Sequence, residues 1–162
     1  MHDYQQITHQ FQPVFNHQSR ILILGTFPSV KSREHNFYYG HPQNRFWKIL
    51  SALTKEPLPT TIKEKKNLLL THGISIWDVI HSCDIVGSSD SSIKNVVPAD
   101  LSVILNISPI EKIFGNGAKA CELYNQYSYK LTNRPIIKLP STSPANAAYS
   151  LEKLIHIWNI IL

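Results

Sequence analysis

The segment from Tyr38 to Trp47 combines aromatic, basic and amide side chains within ten residues and includes Asn44. An amide is too weak a base to remove a proton, but it can orient a water molecule or donate a hydrogen bond to an anion. Those roles suit a reaction whose bond breaks largely on its own, such as cleavage of an N-glycosidic bond, where the base leaves as an anion. An asparagine near the start of a helix can also cap that helix. The position of Asn44 alone leaves both roles open.

Basic side chains surround the same segment. Lys31, Arg33, Arg45 and Lys48 are interleaved with histidine, phenylalanine, tyrosine and tryptophan residues, a mixture that can hold phosphates and stack bases. The whole chain has 16 Lys and Arg against 11 Asp and Glu, a net charge of +5. Many basic proteins bind no nucleic acid, so this charge favours a polyanionic partner only weakly.

Several classes of site are excluded by what the sequence lacks. The stretch Gly25-Thr26-Phe27-Pro28-Ser29 has neither the Gly-Lys-Ser/Thr ending of a phosphate loop nor the three glycines of a dinucleotide site. There is no Gly-x-Ser-x-Gly or His-Glu-x-x-His motif. The two cysteines, Cys83 and Cys121, are too few for a four-cysteine zinc site or a four-thiolate iron–sulfur cluster. We therefore expect no ATP site, no NAD site and no metal site, and we expect both cysteines to be buried.

The hydrophobic pattern predicts strands that alternate with helices. The strands are predicted at 21–24, 74–80, 112–114 and 134–139, and the helices at 44–53, 61–73, 99–106, 118–127 and 145–162. This alternation indicates a parallel sheet between helical layers. We expect a single domain over residues 1–162, with an irregular lead-in at 1–19. No apolar run is long enough to cross a bilayer, so a cytoplasmic protein is expected.

In such folds, ligands bind where loops leave the carboxyl ends of the strands. This rule selects four segments of the chain: Gly25–Gln43, Ile80–Asn95, Gly115–Lys119 and Pro140–Asn146. The first segment contains a connection from Thr26 to Pro42 that is long for a compact domain, and loops of that length are usually functional.

Five blocks of sequence, in order and nearly chain-long, resemble the hypoxanthine-DNA glycosylase branch of the uracil-DNA glycosylase superfamily. They are Ile21–Ser29, Tyr38–Trp47, Gly73–Val79, Phe114–Gly117 and Leu139–Asn146. The resemblance implies a three-layer α/β/α fold around a four-stranded parallel sheet, and monofunctional excision of a deaminated base in DNA repair. It also implies no metal or cofactor, damaged DNA as the partner, and we expect a monomer.

The resemblance further implies roles for individual residues. In mismatch-specific relatives a catalytic asparagine lies in the first block, where this chain has Phe27, so the catalytic amide is expected at Asn44. Tyr39 matches the aromatic residue that stacks on the extruded base, and Asn116 either contacts the base or forms a left-handed turn. The expected base pocket is formed by Gly25, Thr26, Phe27, Pro28, Tyr39 and Asn116.

A serine-rich loop matches the part of the family pattern that grips phosphates beside the lesion. The tip of that loop has no large aliphatic residue to fill the gap left by the flipped base, and Asn146 could face the orphaned base or cap the final helix. The residues expected to contact DNA are Ser29, Lys31, His41, Arg45, Ser141, Ser143, Pro144 and Asn146.

Three alternative functions stay open at this stage. One is a uracil or xanthine glycosylase of the same fold, although Phe27 argues against strong uracil excision. Another is a nucleic-acid-binding module that has lost the reaction. A third is an enzyme acting on free nucleosides, which is disfavoured because the sequence shows no phosphate loop and no carboxylate placed to bind a ribose.

Overall fold

The computed structural model describes residues 3–162. Within them the strands, in chain order, are β1 (Gln5–Thr8), β2 (Ile21–Gly25), β3 (Ile74–Asp78), β4 (Ile80–Ile85), β5 (Lys94–Pro98), β6 (Lys112–Asn116) and β7 (Ile136–Leu139). The α-helices are α1 (Val30–His35), α2 (Phe46–Thr54), α3 (Ile62–Thr71), α4 (Ser102–Leu105), α5 (Ala118–Leu123), α6 (Tyr129–Thr132) and α7 (Leu151–Trp158), with a π-helical stretch at Tyr124–Ser128. None of the helices in this part of the chain is long and apolar enough to cross a membrane.

Four parallel strands form the central sheet in the order β3-β2-β6-β7. Strand β2 is buried along its whole length, as its unbroken apolar run predicts. Ile21 and Ile23 pack into a core with α2, α3 and α7, whereas Leu22 and Leu24 pack into a second core with α4 and α5. Helices therefore cover both faces of the sheet, and the predicted α/β architecture with a four-stranded parallel sheet is confirmed.

A second, antiparallel sheet with the order β1-β4-β5 was not predicted. The expectation of an irregular lead-in at 1–19 is wrong in part, because Gln5–Thr8 pairs with Ser82–Ile85. The side chains of β1 are mostly exposed, so the strand is held by backbone hydrogen bonds and gives no apolar alternation. The predicted strand 74–80 contains the whole of β3, and its last residue is the first residue of β4, with only Val79 between the two strands.

The predicted helices differ from the structure in several places. The closing helix begins at Leu151 and not at residue 145, because the Ser150 side chain caps it by accepting a hydrogen bond from Lys153 N. The long loop after β2 contains α1, which was not predicted. The predicted helix 118–127 is α-helical only as far as Leu123, where α5 ends, and the π-helical stretch follows it directly. The capping box of Thr61 and Glu64 at the start of α3 is confirmed.

Gly115 lets β6 lie against α5. A Cβ atom at residue 115 would collide with Cys121 Sγ and lie 3.1 Å from Ile136 Cδ1. Both cysteines are buried and free, as predicted. The missing side chain at 115 therefore sets the spacing of helix and strand directly before Asn116, where the strand ends.

Gly115→Ala is expected to lower the free energy of unfolding by about 1–3 kcal/mol, because it overpacks this contact. Cys121→Ala in the same chain removes the colliding sulfur and should recover part of that loss. Chemical denaturation of the two single variants and the double variant measures the coupling. Strictly additive effects of the two substitutions would contradict this account.

Candidate active site

A cavity of about 380 Å³ lies at the carboxyl ends of the parallel strands. Three strand ends line it with Gly25, Asp78 and Asn116, and the sheet register pairs Gly25 with Asp78 and Asn116 with Leu139. Residues from the four predicted loop segments, or from the strand ends beside them, complete the lining. Of the predicted site residues, those that line the cavity are Gly25, Thr26, Phe27, Pro28, Ser29, Lys31, Tyr39, His41, Asn44, Asn116, Ser141, Ser143 and Pro144, whereas Arg45 and Asn146 lie outside it.

Asn44 has its amide orientation fixed by two hydrogen bonds. Its Oδ1 accepts from the Phe46 backbone N–H and from the Thr142 hydroxyl, each at 2.9 Å. A backbone N–H can only donate, so the atom facing it must be the oxygen. The first bond satisfies a free N–H at the start of α2, as a capping side chain does, although the N-cap residue of α2 is Arg45. The Nδ2 group makes no hydrogen bond within residues 3–162 and is left for a ligand in the cavity.

Thr142 links Asn44 to the end of β6. The Thr142 N–H donates to Asn116 Oδ1 at 3.0 Å, and Asn116 Nδ2 donates to Thr142 Oγ1 at 3.1 Å. Because Oγ1 accepts from Asn116, its own hydrogen points to Asn44. Thr142 is only 1% exposed, so this chain is shielded from water. The Asn116 amide is thus engaged by Thr142, and the residue lies within strand β6 and not in a left-handed turn.

Arg45 holds the loop after β7 in place. Its guanidinium donates to the carbonyls of Ser143 at 2.8 Å and Asn146 at 3.0 Å, and to those of Thr142 and Tyr149. From the other side of this loop, the Trp158 indole N–H donates to Pro140 O at 2.9 Å. We expected Arg45 to contact DNA, but the structure directs its fork of donors to protein carbonyls, whose geometry it matches.

The loop that Arg45 holds is folded by its own serines. Ser141 Oγ accepts from Ser143 N, and Ser143 Oγ accepts from Ala145 N, both at 3.1 Å. Neither hydroxyl donates its hydrogen to a residue in 3–162, so both can donate to a ligand. Asn146 Nδ2 donates to Ser141 O at 3.0 Å, which stabilises the loop. Asn146 does not cap α7, because that role belongs to Ser150.

The loop after β2 forms the opposite wall. Ser29 caps α1 by accepting from Ser32 N at 3.1 Å, and Val30 N donates to Ser88 Oγ at 2.8 Å. Lys31 is exposed on the rim, 3.4 Å from Glu34. His41 Nδ1 accepts from Gln43 N at 3.1 Å, which orients the ring.

Tyr39 is held in a constrained position. Its φ of 55° lies in the left-handed region, which is unusual for a bulky side chain. The ring stacks on Phe46 with centroids 4.0 Å apart, so one face is occupied. The Tyr39 hydroxyl is buried and has no partner at good hydrogen-bond geometry within the described residues, although the Asn116 side chain lies near it. Burial, and secondarily the charge of Asp78, raise the pKa of Tyr39 above its usual range, so the phenol stays protonated.

Asp78 and His9 form a buried pair that sequence reasoning missed. Asp78 Oδ2 accepts from His9 Nε2 at 2.8 Å, and their side chains are 5% and 3% exposed. The His9 ring lies edge-on to Phe11, with centroids 4.8 Å apart, and near Tyr38. His9 directly follows β1, and its backbone N–H donates to His81 O. The pairing of β1 with β4, which was not predicted, therefore brings residue 9 next to residue 78.

No metal centre is evident: no three His, Cys, Asp or Glu side chains in residues 3–162 are grouped so that they could hold an ion. The groups available at the cavity are amides, hydroxyls and carboxylates, together with Lys31 and His41 at its edge. This set can donate and accept hydrogen bonds at fixed positions around a small polar ligand.

Comparison with known proteins places these residues in a family. The model of the uracil DNA glycosylase superfamily matches residues 12–161. A Methanosarcina acetivorans protein named hypoxanthine DNA glycosylase is 35% identical over 148 residues, covering 88% of this chain and 90% of that protein. A Methanosarcina barkeri protein of the same name is 32% identical over 114 residues, covering 69% and 72%.

A solved structure agrees with this result. The solution NMR structure of a candidate uracil DNA glycosylase from Methanosarcina acetivorans superimposes with a TM-score of 0.77 and 29% identity, covering 93% of this chain and 96% of that chain. The likeness thus extends over the central sheet and the loops at its carboxyl edge. On the strength of the family match over residues 12–161, this chain belongs to the uracil DNA glycosylase superfamily.

Proposed function

We propose that this chain is a monofunctional DNA glycosylase that flips a deaminated base out of DNA and hydrolyses its N-glycosidic bond. The observation that carries the proposal is the Asn44 amide, whose oxygen is fixed from two sides and whose nitrogen is free at the cavity. Membership of the superfamily supplies the reaction class, and the two relatives named hypoxanthine DNA glycosylase supply the base. The substrate we propose is deoxyinosine in DNA, from which hypoxanthine is the base released.

The size of the cavity fits this substrate. Ligand pockets range from about 300 to 1,000 Å³, and 380 Å³ lies near the lower end. A pocket of this size suits one base extruded from the helix, with the sugar and phosphates left at the rim. The base reaches the pocket by flipping, which costs a few kcal/mol and least for a poorly paired base such as hypoxanthine.

Asn44 acts in this proposal as a hydrogen-bond donor. Both lone pairs of its Oδ1 are used, by Phe46 N and by the Thr142 hydroxyl, so the oxygen is not available to orient a water molecule. The Nδ2 group can donate to negative charge that develops as the glycosidic bond breaks. Because Thr142 and α2 hold the amide before the substrate arrives, no energy is spent on orienting it during the reaction.

DNA is held in this proposal at the rim of the cavity. The free hydroxyl hydrogens of Ser141 and Ser143 can donate to backbone phosphates, and Lys31 supplies an exposed positive charge on the opposite wall. Arg45 positions the serine loop without meeting the phosphates itself. Affinity for DNA should therefore fall as salt is added, with a slope set by the exposed cations.

Uracil and xanthine are the alternative leaving bases within the same reaction. Phe27 lies in the wall of the cavity and offers no polar group toward the reacting bond. Release from matched oligonucleotides that contain deoxyinosine, deoxyxanthosine or deoxyuridine ranks the three bases directly.

Two substitutions separate the capping role of Asn44 from its catalytic role. Asn44→Ala loses both hydrogen bonds of Oδ1, so the free energy of unfolding should fall by about 1 kcal/mol and single-turnover base release by at least about 100-fold. Asn44→Asp keeps the two accepted hydrogen bonds and should be nearly as stable as the unaltered protein. It cannot donate, so its base release should fall as far as that of Asn44→Ala.

The matched control is Asn67→Asp, the same change on the exposed face of α3, which should leave release unchanged. Full activity of Asn44→Asp would mean that residue 44 acts on water through its oxygen. Activity that survives Asn44→Ala would place the chemistry elsewhere in the cavity. DNA binding by the unaltered protein without release of any of the three bases would favour a binding module.

A second pair of variants tests the role of Arg45. Arg45→Met keeps the length of the side chain and removes its hydrogen bonds to the loop, so base release should fall while the salt dependence of DNA affinity is unchanged. Lys31→Met should instead reduce the slope of log affinity against log salt by about 1, because it removes one phosphate contact. Binding of an oligonucleotide at several salt concentrations gives both slopes. A shallower slope for Arg45→Met would show that the guanidinium reaches DNA.

A further inference from the structure

We propose that the first two turns of α3 form a second DNA-binding surface, which holds the duplex on one side of the damaged base. The surface consists of Lys63, Lys65 and Lys66 and is called the α3 lysine face. Its ligand is the phosphate backbone of the flanking duplex and not the base in the cavity. The inference rests on the proposed function only for DNA as the partner.

The charges of the α3 lysine face are not neutralised by the protein. No salt bridge joins any of its three lysines to a carboxylate within residues 3–162. Lys31, by contrast, pairs with Glu34 at 3.4 Å. Glu64 lies between the lysines in sequence, but its carboxylate accepts hydrogen bonds from Thr60 N and Thr61 N in front of the helix. The ammonium groups are therefore available to an anion from outside.

The positions of these lysines are unfavourable for the helix itself. Lys63 lies in the first turn of α3, where the positive end of the helix dipole disfavours a basic side chain. Lys63 and Lys66 are also three residues apart on the same helix face, and like charges at that spacing repel each other. A phosphate group bound over the two would relieve both effects.

Aromatic rings hold two of the ammonium groups in place. Lys65 Nζ lies over Trp47, 5.3 Å from the ring centroid, and Lys66 Nζ lies over Phe37 at 5.9 Å. The two rings stack on each other with centroids 6.0 Å apart. A cation–π contact leaves the N–H donors of an ammonium group free for a further partner. Partial burial lowers the pKa of Lys65, and a phosphate beside the ammonium would favour its charged form again.

The same two rings connect the α3 lysine face to the cavity. Phe37 precedes Tyr38, which lines the cavity, and the centroids of these two rings are 5.4 Å apart. Trp47 Nε1 donates to Tyr38 O at 3.1 Å. The lysines thus lie one layer of rings beyond the cavity wall. Phosphates follow one another about every 3.4 Å along the axis of a DNA strand, so a strand whose base enters the cavity has further phosphates within reach of this layer.

Duplex DNA is the partner that this surface fits. Proteins that bind single strands combine positive charge with aromatic faces on which unpaired bases stack. Phe37 and Trp47 are only 4% and 5% exposed, so neither ring offers a free face to a base. The α3 lysine face therefore presents charge alone. A duplex suits it because the bases are already stacked and only the phosphates face outward.

The test is the binding of duplex DNA by a variant that carries both Lys65→Gln and Lys66→Gln. On a duplex with a central deoxyinosine, its slope of log affinity against log salt should be shallower by about 2 than that of the unaltered protein. Lys66→Gln alone, at the more exposed of the two lysines, should reduce the slope by about 1. Thermal unfolding verifies that each variant is folded, and the single variant serves if the double variant is unstable.

Lys112→Gln is the matched control. Lys112 is exposed and begins β6, so it lies at the amino edge of the parallel sheet, opposite the cavity. Its substitution removes the same charge and should leave the slope unchanged.

Off-centre lesions show on which side the duplex lies. Two further duplexes of about 20 base pairs carry deoxyinosine about three base pairs from the 5′ end or from the 3′ end of its strand, so each has one flank of only a few phosphates. The double variant should match the unaltered protein on the duplex that lacks the flank facing α3. It should keep its shallower slope on the other.

An unchanged slope in the double variant would overturn the inference. So would an equal change in Lys112→Gln, or an equal change on both off-centre duplexes, because total charge and not a placed surface would then be responsible. Tighter binding of single-stranded RNA or of an acidic peptide than of duplex DNA, lost in the double variant, would assign the lysines to another partner.

Undamaged duplex DNA separates this inference from the proposed reaction. A shallower slope of the double variant on undamaged duplex, with no release of any deaminated base by the unaltered protein, would refute the reaction and keep the surface. Release of hypoxanthine by the unaltered protein, with equal slopes for both proteins, would have the opposite meaning.

Discussion

The hydroxyl hydrogen of Thr142 is the point on which the rest of the site depends. Asn116 donates to Thr142 Oγ1, so the hydroxyl can only pass its hydrogen on to Asn44. The resulting chain of hydrogen bonds connects the end of β6, the loop after β7 and the start of α2. The hydrogen bond from Thr142 also uses the last lone pair of the Asn44 oxygen. The Asn44 amide can therefore act toward a ligand only as a donor, through its nitrogen. A polar chain of this kind works only where water is excluded, and the burial of Thr142 meets that condition.

Much of this arrangement was predictable from sequence. An unbroken apolar run such as Ile21–Leu24 indicates a strand buried on both faces, and strands that alternate with helices indicate a parallel sheet. The carboxyl edge of such a sheet is where ligands bind, so the segments carrying Asn44 and the serine loop could be placed together before any coordinates. These inferences succeed because they depend on local pattern and on topology, both of which the sequence carries.

The contacts of His9 and Arg45 were beyond sequence reasoning for a different reason. The exposed residues of β1 have no apolar alternation that would predict their pairing with β4. His9 could therefore not be placed beside Asp78 from the sequence. The basic charge of Arg45 suggested a phosphate contact, yet its donors are taken by carbonyls from Thr142 to Tyr149, about a hundred residues later in the chain. In both cases the deciding contact is between positions far apart in sequence, and the residue type fits either role. The residue type determines which interactions such a side chain can make, but it does not determine which partner the fold brings next to it.

The position of His9 has a consequence for where the functional unit begins. The superfamily model starts to match at residue 12, three positions after the histidine that holds Asp78. A chain shortened to the family boundary would keep all four parallel strands and the loops at their carboxyl ends. It would also leave a buried carboxylate at the base of the cavity without its hydrogen-bond donor. The family match thus begins after the segment that contributes to the wall of the cavity, and the difference is one short edge strand with the histidine that follows it.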